Sequence, residues 1–231
     1  MDVFYPLRAD PINAPLRYSL RALCQNFPVD NVWVAGYKPD WLVGVGYMPT
    51  HQRGTKHQNS TANLLTGCFN AAMADDFVLM NDDFFILEPV EEIETLHRGR
   101  VADVLLDYAY RGSYRHGMAQ TAALMHELGV ADPLSYELHV PMVLNRRRMV
   151  EALHIGLEAM PRLEMTALHK RSLYGNLFNV GGREVGDVKI KERHGPLPKG
   201  PYVSTSPGSW VGRPGKRIRN RFPEPSKFER S

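Results

Sequence analysis

The stretch Asp75–Pro89, DDFVLMNDDFFILEP, sets an apolar run between two acidic pairs. The run at 77–80 has no polar member, which is typical of a strand buried on both faces of a parallel sheet. It ends at Asn81, Asp82 and Asp83, and in open parallel sheets ligands bind beyond the carboxyl ends of the strands. We therefore predict that this second acidic pair faces a ligand, whereas the first pair forms a solvated turn at the opposite end of the strand.

The second acidic pair also has the chemistry of a metal site. Adjacent carboxylates repel each other unless a cation or a hydrogen-bond donor compensates. Their oxygen atoms are the ligands that Mg²⁺ or Mn²⁺ prefers, with substrate phosphates completing the coordination shell. Asp82 and Asp83 therefore indicate a divalent metal, although their spacing alone is equally compatible with a turn cap.

Segments with strand and helix patterns alternate along the rest of the chain. Short β-rich runs precede segments with apolar residues at helical spacing, such as Leu16, Leu20 and Leu23. Strands are predicted at 2–7, 31–37, 42–49, 76–80, 136–142 and 184–190, and helices at 14–27, 59–74, 90–128 with a break at 111–117, 146–160 and 167–179. This order predicts an α/β fold in which helices flank a mostly parallel sheet.

The composition is that of a globular protein. Of the 231 residues, 43% are hydrophobic and 23% are charged, which is enough for one large domain. The sequence contains no apolar span of membrane length and only two cysteines, and its first residues lack a signal-peptide pattern. We therefore expect a cytoplasmic protein without a membrane span.

Positive charge is concentrated near the C-terminus. Residues 189–231 hold 11 Lys or Arg and 3 Asp or Glu, a net +8, whereas residues 1–188 hold 17 and 22, a net −5. We predict a catalytic domain at 1–194 and a basic segment rich in Pro and Gly at 195–231. Such a segment is expected to contact phosphate, nucleic acid or the acidic body of the protein itself, with a solvated tail as the alternative.

The segment VLMNDDFFIL resembles the short acidic motif of GT-A glycosyltransferases, in which an aspartate-rich turn holds a divalent metal against the diphosphate of a sugar nucleotide. The segments LRYSLRAL, PDWLVG and THQRGTKHQNSTAN, in this order, are also similar to those of Stealth-type sugar-phosphate transferases. The resemblance covers residues 1–90, with a looser echo at YELHVPMVLNRRRM. Small glycosyltransferases of this kind also occur in bacteriophages.

This resemblance implies a GT-A-like domain that moves a sugar from a UDP- or GDP-sugar to an acceptor. The acceptor would be a glycan, a protein or a modified DNA base, and the cofactor Mn²⁺ or Mg²⁺. The protein would act in the host cytoplasm if a phage encodes it. Transfer of a sugar 1-phosphate, as in the Stealth-type enzymes, is the alternative.

The resemblance also implies roles for individual residues. Asp83 would coordinate the metal, and Asp82 would bind the metal, the sugar or the ribose, beside Asn81 at the donor site. Tyr5 and Arg8 follow the first strand, where GT-A proteins receive the nucleotide. Tyr5 would stack on the base and Arg8 would pair with phosphate, with a surface salt bridge of Arg8 as the alternative.

Lys56 and His57 precede the N-terminus of the helix predicted at 59–74. Helix N-termini attract anions because their N–H groups are unpaired and the helix dipole is positive there. We expect both side chains to contact the donor, and a solvated loop is the alternative.

Glu137 and His139 lie two residues apart in YELHVPM, so they share a face if this segment is a strand. One of them is expected to act as a general base or to bind the acceptor, and His139 is also a candidate third metal ligand. The alternative for His139 is a buried, hydrogen-bonded core residue.

Residues 204–222 are predicted to form a lid that closes over the donor diphosphate. Glycines at 208, 212 and 215 would supply backbone freedom, Trp210 would cover the site and Arg217 would neutralise phosphate. Lids of this kind exclude water from a transferase site. The same cations would otherwise bind an anionic acceptor such as DNA.

Two other functional classes remain compatible with the sequence. The basic C-terminal segment is also found in nucleic-acid-binding modules, although the sequence carries no zinc-ligand spacing or RNA-binding signature. A metal-dependent hydrolase would use the same acidic pair, but such sites need more carboxylates and histidines to hold two metals.

Overall fold

The computed structural model describes residues 1–107, 112–165 and 167–230, within which the chain forms ten strands and eight helices. The strands are β1 Asp2–Leu7, β2 Val32–Gly36, β3 Gly46–Pro49, β4 Asp76–Leu79, β5 Phe84–Ile86, β6 Leu96–His97, β7 Met142–Asn145, β8 Arg183–Glu184, β9 Lys189–Ile190 and β10 Tyr202–Thr205. The helices are α1 Ala14–Asn26, α2 Lys56–Phe69, α3 Val101–Asp107, α4 Ser113–Glu127, α5 Arg146–Arg162, α6 Lys170–Leu177, α7 Pro207–Val211 and α8 Arg213–Arg221. Among the described residues, no helix has the length and apolar character that crossing a membrane requires.

The central sheet has the strand order β3-β2-β1-β4-β7. β1 pairs in parallel with β2 and β4, β2 pairs in parallel with β3, and β7 runs antiparallel beside β4. Because side chains alternate along a strand, Phe4 of β1 packs into the core on the side of α2 and α5, whereas Val3 and Tyr5 pack into the core that contains α1. The predicted α/β architecture with a mostly parallel sheet flanked by helices is confirmed.

The helix boundaries differ from the sequence prediction, most clearly at α2 and at 90–128. α2 begins at Lys56 rather than near Asn59, because the side chain of Thr55 accepts from the backbone of Gln58 while Gln58 accepts from the backbone of Thr55. This reciprocal capping box satisfies two N–H groups that the helix leaves unpaired. The helical prediction for 90–128 holds only for α3 and α4. The break predicted at 111–117 is wrong at 113–117, which belong to α4, and residue 111 lies outside the described residues.

The strand predicted at 136–142 does not form, and only Met142 belongs to a strand, β7. The guanidinium of Arg171 donates from Nη1 to the carbonyl oxygens of Leu138 (3.1 Å) and Val140 (2.7 Å). These carbonyls are therefore satisfied by a buried side chain and need no neighbouring strand. Glu137 and His139 therefore do not share the face of a strand.

The C-terminal segment is part of the folded domain. β10 lies between β5 and β9 in a second sheet, antiparallel to β5 and parallel to β9. The indole of Trp210 stacks on Phe85, with ring centroids 5.6 Å apart and an interplanar angle of 3°. These contacts contradict the alternative of a solvated tail at β10 and Trp210, because the strand and the indole bury apolar surface that a solvated tail would expose.

The glycines of this segment serve close packing. A Cβ atom on Gly212 would lie 2.1 Å from the carbonyl oxygen of Arg193, and one on Gly215 would lie 1.7 Å from that of Trp210. Glycine is therefore required there because two stretches of backbone approach each other closely. This finding replaces the predicted hinge role of these two positions.

The first acidic pair, at the far end of β4, pairs with the start of α5. Asp75 accepts from Nη2 of Arg146 at 2.8 Å, and Asp76 accepts from Nδ2 of Asn145 at 2.7 Å. Both carboxylates thereby hold β4 to the end of β7, so the predicted solvated turn is in fact a set of paired surface groups.

Candidate active site

A cavity of about 1050 Å³ opens where the chain leaves the carboxyl end of β4. Seven of the residues predicted from the sequence line it, namely Arg8, Lys56, His57, Asn81, Asp82, Asp83 and His139. The other lining residues are Pro6, Ser60, Arg98, Tyr114, Asp187, Lys189, Lys191 and Glu192. The position of the cavity is the one expected for a ligand site in a parallel α/β sheet.

The acidic turn Asn81-Asp82-Asp83 connects β4 to β5. The N–H of Phe84 donates to the carbonyl of Asn81 at 3.1 Å and closes the turn. Asn13, which caps α1, also donates from Nδ2 to Oδ2 of Asp82 at 3.1 Å. Burial and the neighbouring charge of Asp83 raise the pKa of Asp82. A cation beside the pair would therefore stabilise its ionised form.

Lys189 provides one such cation. Its Nζ lies 2.9 Å from Oδ2 of Asp83, and the hydroxyl of Ser204 donates to the same oxygen at 3.3 Å. Ser204 of β10 is paired with Phe84 on one side and Lys189 on the other, so the second sheet brings Lys189 to the acidic turn.

Lys189 is not among the site residues predicted from the sequence, although its neighbourhood carries a signal. Asp187, Lys189 and Lys191 are charged residues at every second position, and in an extended segment they share one face. All three line the cavity. An alternating charged face on a short strand at the same edge as the acidic turn was the pattern to recognise.

His139 is held in place by Asp187. Its Nδ1 lies 2.9 Å from Oδ2 and 3.0 Å from Oδ1 of Asp187, and its backbone N–H donates to Oδ1 at 3.2 Å. Burial alone would raise the pKa of Asp187, but the hydrogen bonds and charge of His139 outweigh this effect and lower it. The carboxylate thus orients the imidazole and leaves Nε2 as the ring nitrogen for a ligand.

The wall of the cavity is basic. Five lysine and arginine side chains face it, against the four carboxylates of Asp82, Asp83, Asp187 and Glu192. Two of these carboxylates are already paired, with Lys189 and His139. The N-terminus of α2 adds its unpaired N–H groups at Lys56 and His57, so the cavity is suited to an anionic ligand.

Two predicted site residues serve the fold instead. Tyr5 is fully buried, and its hydroxyl is hydrogen bonded to that of Ser19 at 2.9 Å. Because its position on β1 directs it into the core, the prediction that it stacks on a base is wrong.

Oε1 of Glu137 accepts from the N–H groups of Arg171 (3.1 Å) and Ser172 (3.3 Å) at the start of α6, so Glu137 caps this helix and does not line the cavity.

The predicted lid residues also lie away from the cavity lining. Trp210 is 9% exposed and packs between Tyr18 and Phe85, and Arg217 is exposed on α8. Neither side chain lines the cavity. The assignment of Trp210 as a cover and Arg217 as a phosphate ligand is therefore corrected, because the strand β10 fixes this segment against β5.

Two carboxylates of the predicted metal site, Asp82 and Asp83, lie together on the cavity wall. The described residues contain no group of three or more His, Cys, Asp or Glu that could hold a metal ion. His139 lines the same cavity as these carboxylates, and its role as a third metal ligand stays a prediction. Asp82 and Asp83 remain adjacent oxygen donors on the cavity wall, which fits Mg²⁺ or Mn²⁺ bound through one or two carboxylates with substrate phosphates as further ligands.

The fold is similar to those of solved glycosyltransferases. It superposes on the galactosyltransferase LgtC in complex with donor and acceptor sugar analogs with a TM-score of 0.50 and 11% identity, covering 84% of this chain and 74% of that chain. An active-site mutant of LgtC gives a TM-score of 0.50 with 12% identity and the same coverage. The apo form of GlyE from Streptococcus pneumoniae TIGR4 has a TM-score of 0.43 and 8% identity, covering 82% of this chain and 46% of that chain.

Sequence comparison identifies no family for this chain. No protein-family model matches the chain, and no curated protein matches it either. The likeness therefore concerns the overall arrangement of strands and helices. On that ground, the chain has a single-domain α/β fold of the GT-A type.

Proposed function

We propose that the protein is a glycosyltransferase that uses a nucleotide-sugar donor. One observation carries the proposal: the turn Asn81-Asp82-Asp83 ends a strand of a GT-A-type sheet inside a cavity with a basic wall. A sugar nucleotide presents a diphosphate, which pairs with cations, and hydroxyl groups, which donate to carboxylates. The donor and acceptor sugar analogs of LgtC, which shares this fold, support the same ligand class.

Asp82 and Asp83 are proposed to hold Mg²⁺ or Mn²⁺, which supplies electrostatic stabilisation of the departing nucleoside diphosphate. Asn13 orients Asp82 through its hydrogen bond to Oδ2. Lys189 balances the charge of Asp83 before the donor arrives and then pairs with a phosphate oxygen. Arg8 and Arg98, which line the same cavity, neutralise the remaining charge of the diphosphate.

His139 is proposed to accept the proton of the acceptor hydroxyl at Nε2. Asp187 keeps Nδ1 engaged and stabilises the imidazolium that forms. The acceptor oxygen, made more nucleophilic, then attacks the sugar carbon that bears the diphosphate. Asp187 acts through His139, so it is a positioning residue in this reaction.

A donor panel tests the proposal. The protein is incubated with UDP- and GDP-sugars and Mn²⁺, and binding is followed by thermal denaturation, since a ligand at one hundred times its Kd stabilises the native state by about 2.7 kcal/mol. Asp83→Asn is expected to lose most of the metal-dependent stabilisation. Asp40→Asn, the same change at an exposed residue outside the cavity, serves as the matched control and should behave as the parent.

The nucleotide released during turnover separates the alternatives. Release of UDP or GDP with a glycosylated acceptor supports the proposal, whereas release of UMP or GMP indicates transfer of a sugar 1-phosphate. Phosphodiester cleavage without any sugar nucleotide indicates a hydrolase. Equal Mn²⁺-dependent UDP affinity in Asp83→Asn and the parent would contradict the assignment of the acidic turn.

A further inference from the structure

A second set of cations lies where the N-termini of α2 and α6 approach each other. Lys56, His57 and Ser60 occupy the first turns of α2 and line the cavity. Lys170, the first residue of α6, donates from Nζ to the hydroxyl of Ser60 at 3.2 Å. We name Lys56, His57, Ser60 and Lys170 the α2–α6 cluster.

The ammonium groups of Lys56 and Lys170 supply the positive charge of the α2–α6 cluster. Glu137 is the carboxylate that interacts electrostatically with His57, Lys170 and Arg171, and its Oε1 already accepts two backbone N–H groups of α6. Burial lowers the pKa of Lys170 to about 8. Burial, followed by the charges of Lys56 and Lys170, also lowers the pKa of His57. An anion at the cluster would stabilise the charged form of both side chains.

Unpaired polar atoms surround the same cluster. Within the part of the chain that the structure describes, Nε2 of His57 and Nη2 of Arg171 are buried and have no hydrogen-bond partner. His169 donates from Nε2 to the carbonyl of Tyr114 at 2.9 Å, so its Nδ1 is an acceptor and does not belong to this group. His169 and Arg171 flank Lys170 and are 2% and 6% exposed. Leaving a buried donor unsatisfied is unfavourable, and a bound oxyanion would supply acceptor atoms and negative charge.

The α2–α6 cluster is separate from the cations that serve the acidic turn. Lys189 of β9 contacts Asp83, and Arg98 follows β6, whereas the cluster belongs to α2 and α6. A nucleotide-sugar donor carries one diphosphate, which the acidic-turn cations and the metal neutralise. Lys56 of this second group lines the cavity, and Lys170 contacts the lining residue Ser60. Their position therefore indicates a second anionic group among the substrates.

We propose that the acceptor is a small molecule carrying a phosphate group, which binds at the α2–α6 cluster. This inference rests on the proposed glycosyltransferase function and specifies its acceptor class. Phosphate accepts several hydrogen bonds at once and is the group that helix N-termini and lysine ammonium groups recognise together. The phosphate anchors the acceptor on the helix side of the cavity, and the acceptor hydroxyl extends toward His139, which lines the same cavity.

Calorimetric titration with inorganic phosphate tests the site directly. The full-length protein is titrated first alone and then after saturation with UDP and Mg²⁺, and the double variant Lys56→Met/Lys170→Met is compared with the parent. We expect phosphate to bind the UDP-saturated parent, and the double variant to bind it at least tenfold more weakly. The affinity for UDP should stay within twofold. Lys199→Met, the same change at an exposed lysine outside the cavity, is the matched control and should bind phosphate as the parent does.

The outcomes separate this inference from the proposed function. Displacement of phosphate by UDP would assign the cluster to the donor and overturn the inference, as would parental phosphate affinity in the double variant. Both results leave the glycosyltransferase proposal intact, whereas absence of UDP binding in the parent overturns both. If the double variant melts early, the single variant Lys56→Met replaces it, because Lys56 is exposed. Lys56→Met is expected to weaken phosphate binding about threefold or more. An unchanged phosphate affinity would then refute the site.

Discussion

Glu229→Gln is expected to destabilise the protein because Glu229 joins the C-terminal segment to α1. Its side chain is 2% exposed and accepts from Arg21 through two hydrogen bonds of 2.8 Å, Nε to Oε1 and Nη2 to Oε2. Arg17 contributes a third contact at 3.2 Å, and Ser226 donates its N–H to Oε1 at 2.9 Å. The amide keeps the size of the side chain but removes the charge that these groups surround.

The magnitude follows from the pKa of Glu229. Burial alone would raise this pKa, but the hydrogen bonds and charge of Arg21, together with Ser226 and Arg17, outweigh burial and lower it from 4.5 to about 2. One pKa unit corresponds to about 1.4 kcal/mol, so the shift contributes about 3 kcal/mol to the free energy of unfolding at pH 7. A neutral amide at this position loses most of that contribution and leaves two arginines without their partner.

The pH dependence has a defined sign. Because the folded-state pKa is lowered, the stabilisation is fully present above pH 4.5 and is lost as the pH falls toward 2. The difference between parent and Glu229→Gln should therefore be about 3 kcal/mol at pH 7 and about 1.4 kcal/mol at pH 3. Urea unfolding followed by circular dichroism at both pH values measures this difference.

The control is Glu151→Gln, which makes the same change on the exposed side of α5 and should alter the free energy of unfolding by less than about 0.5 kcal/mol. An unfolding midpoint of Glu229→Gln equal to that of the parent at pH 7 would refute the reasoning. In that case the C-terminal segment would not be anchored through this carboxylate.

Two further predictions concern the candidate site. Lys189→Met removes the ammonium that lies 2.9 Å from Asp83. The variant is expected to bind Mn²⁺ about tenfold more tightly, because the metal no longer has to displace the ammonium from the carboxylate. Mn²⁺ titration by electron paramagnetic resonance measures this affinity, and weaker binding would contradict the prediction. Tyr5→Phe removes a hydroxyl hydrogen bonded within the core and should lower the free energy of unfolding by about 1 kcal/mol. Its UDP affinity should equal that of the parent, and a marked loss of affinity would restore the base-stacking role of Tyr5.

The sequence by itself determined the parallel strands of the central sheet, β1 to β4, and the location of the acidic turn, but not the antiparallel strand β7. The apolar run before Asn81 has one stable solution, burial on both faces of a sheet, because every second residue of a strand faces the same side and no polar side is left. The polar residues that follow it must then lie at the edge of that sheet. The same local reasoning identified α1 and α5, whose apolar residues recur at helical spacing and form one buried face.

The tertiary structure alone decided which polar residues share the cavity and which support the fold. Glu137 caps α6, and Lys189 reaches Asp83, because partners distant in sequence, 34 and 106 residues away, satisfy their charges. The residues next to a charged side chain in the sequence do not reveal such a distant partner. A glutamate that is free and a glutamate that accepts two N–H groups look the same in the sequence. Trp210 illustrates the same limit, because its glycine-rich surroundings indicate mobility until the stacking on Phe85 and the pairing of β10 with β5 bury it. Burial depends on the folded chain, because it requires contacts between segments that are distant in sequence. It therefore decides whether a basic, glycine-rich segment is a mobile lid or a packed part of the domain.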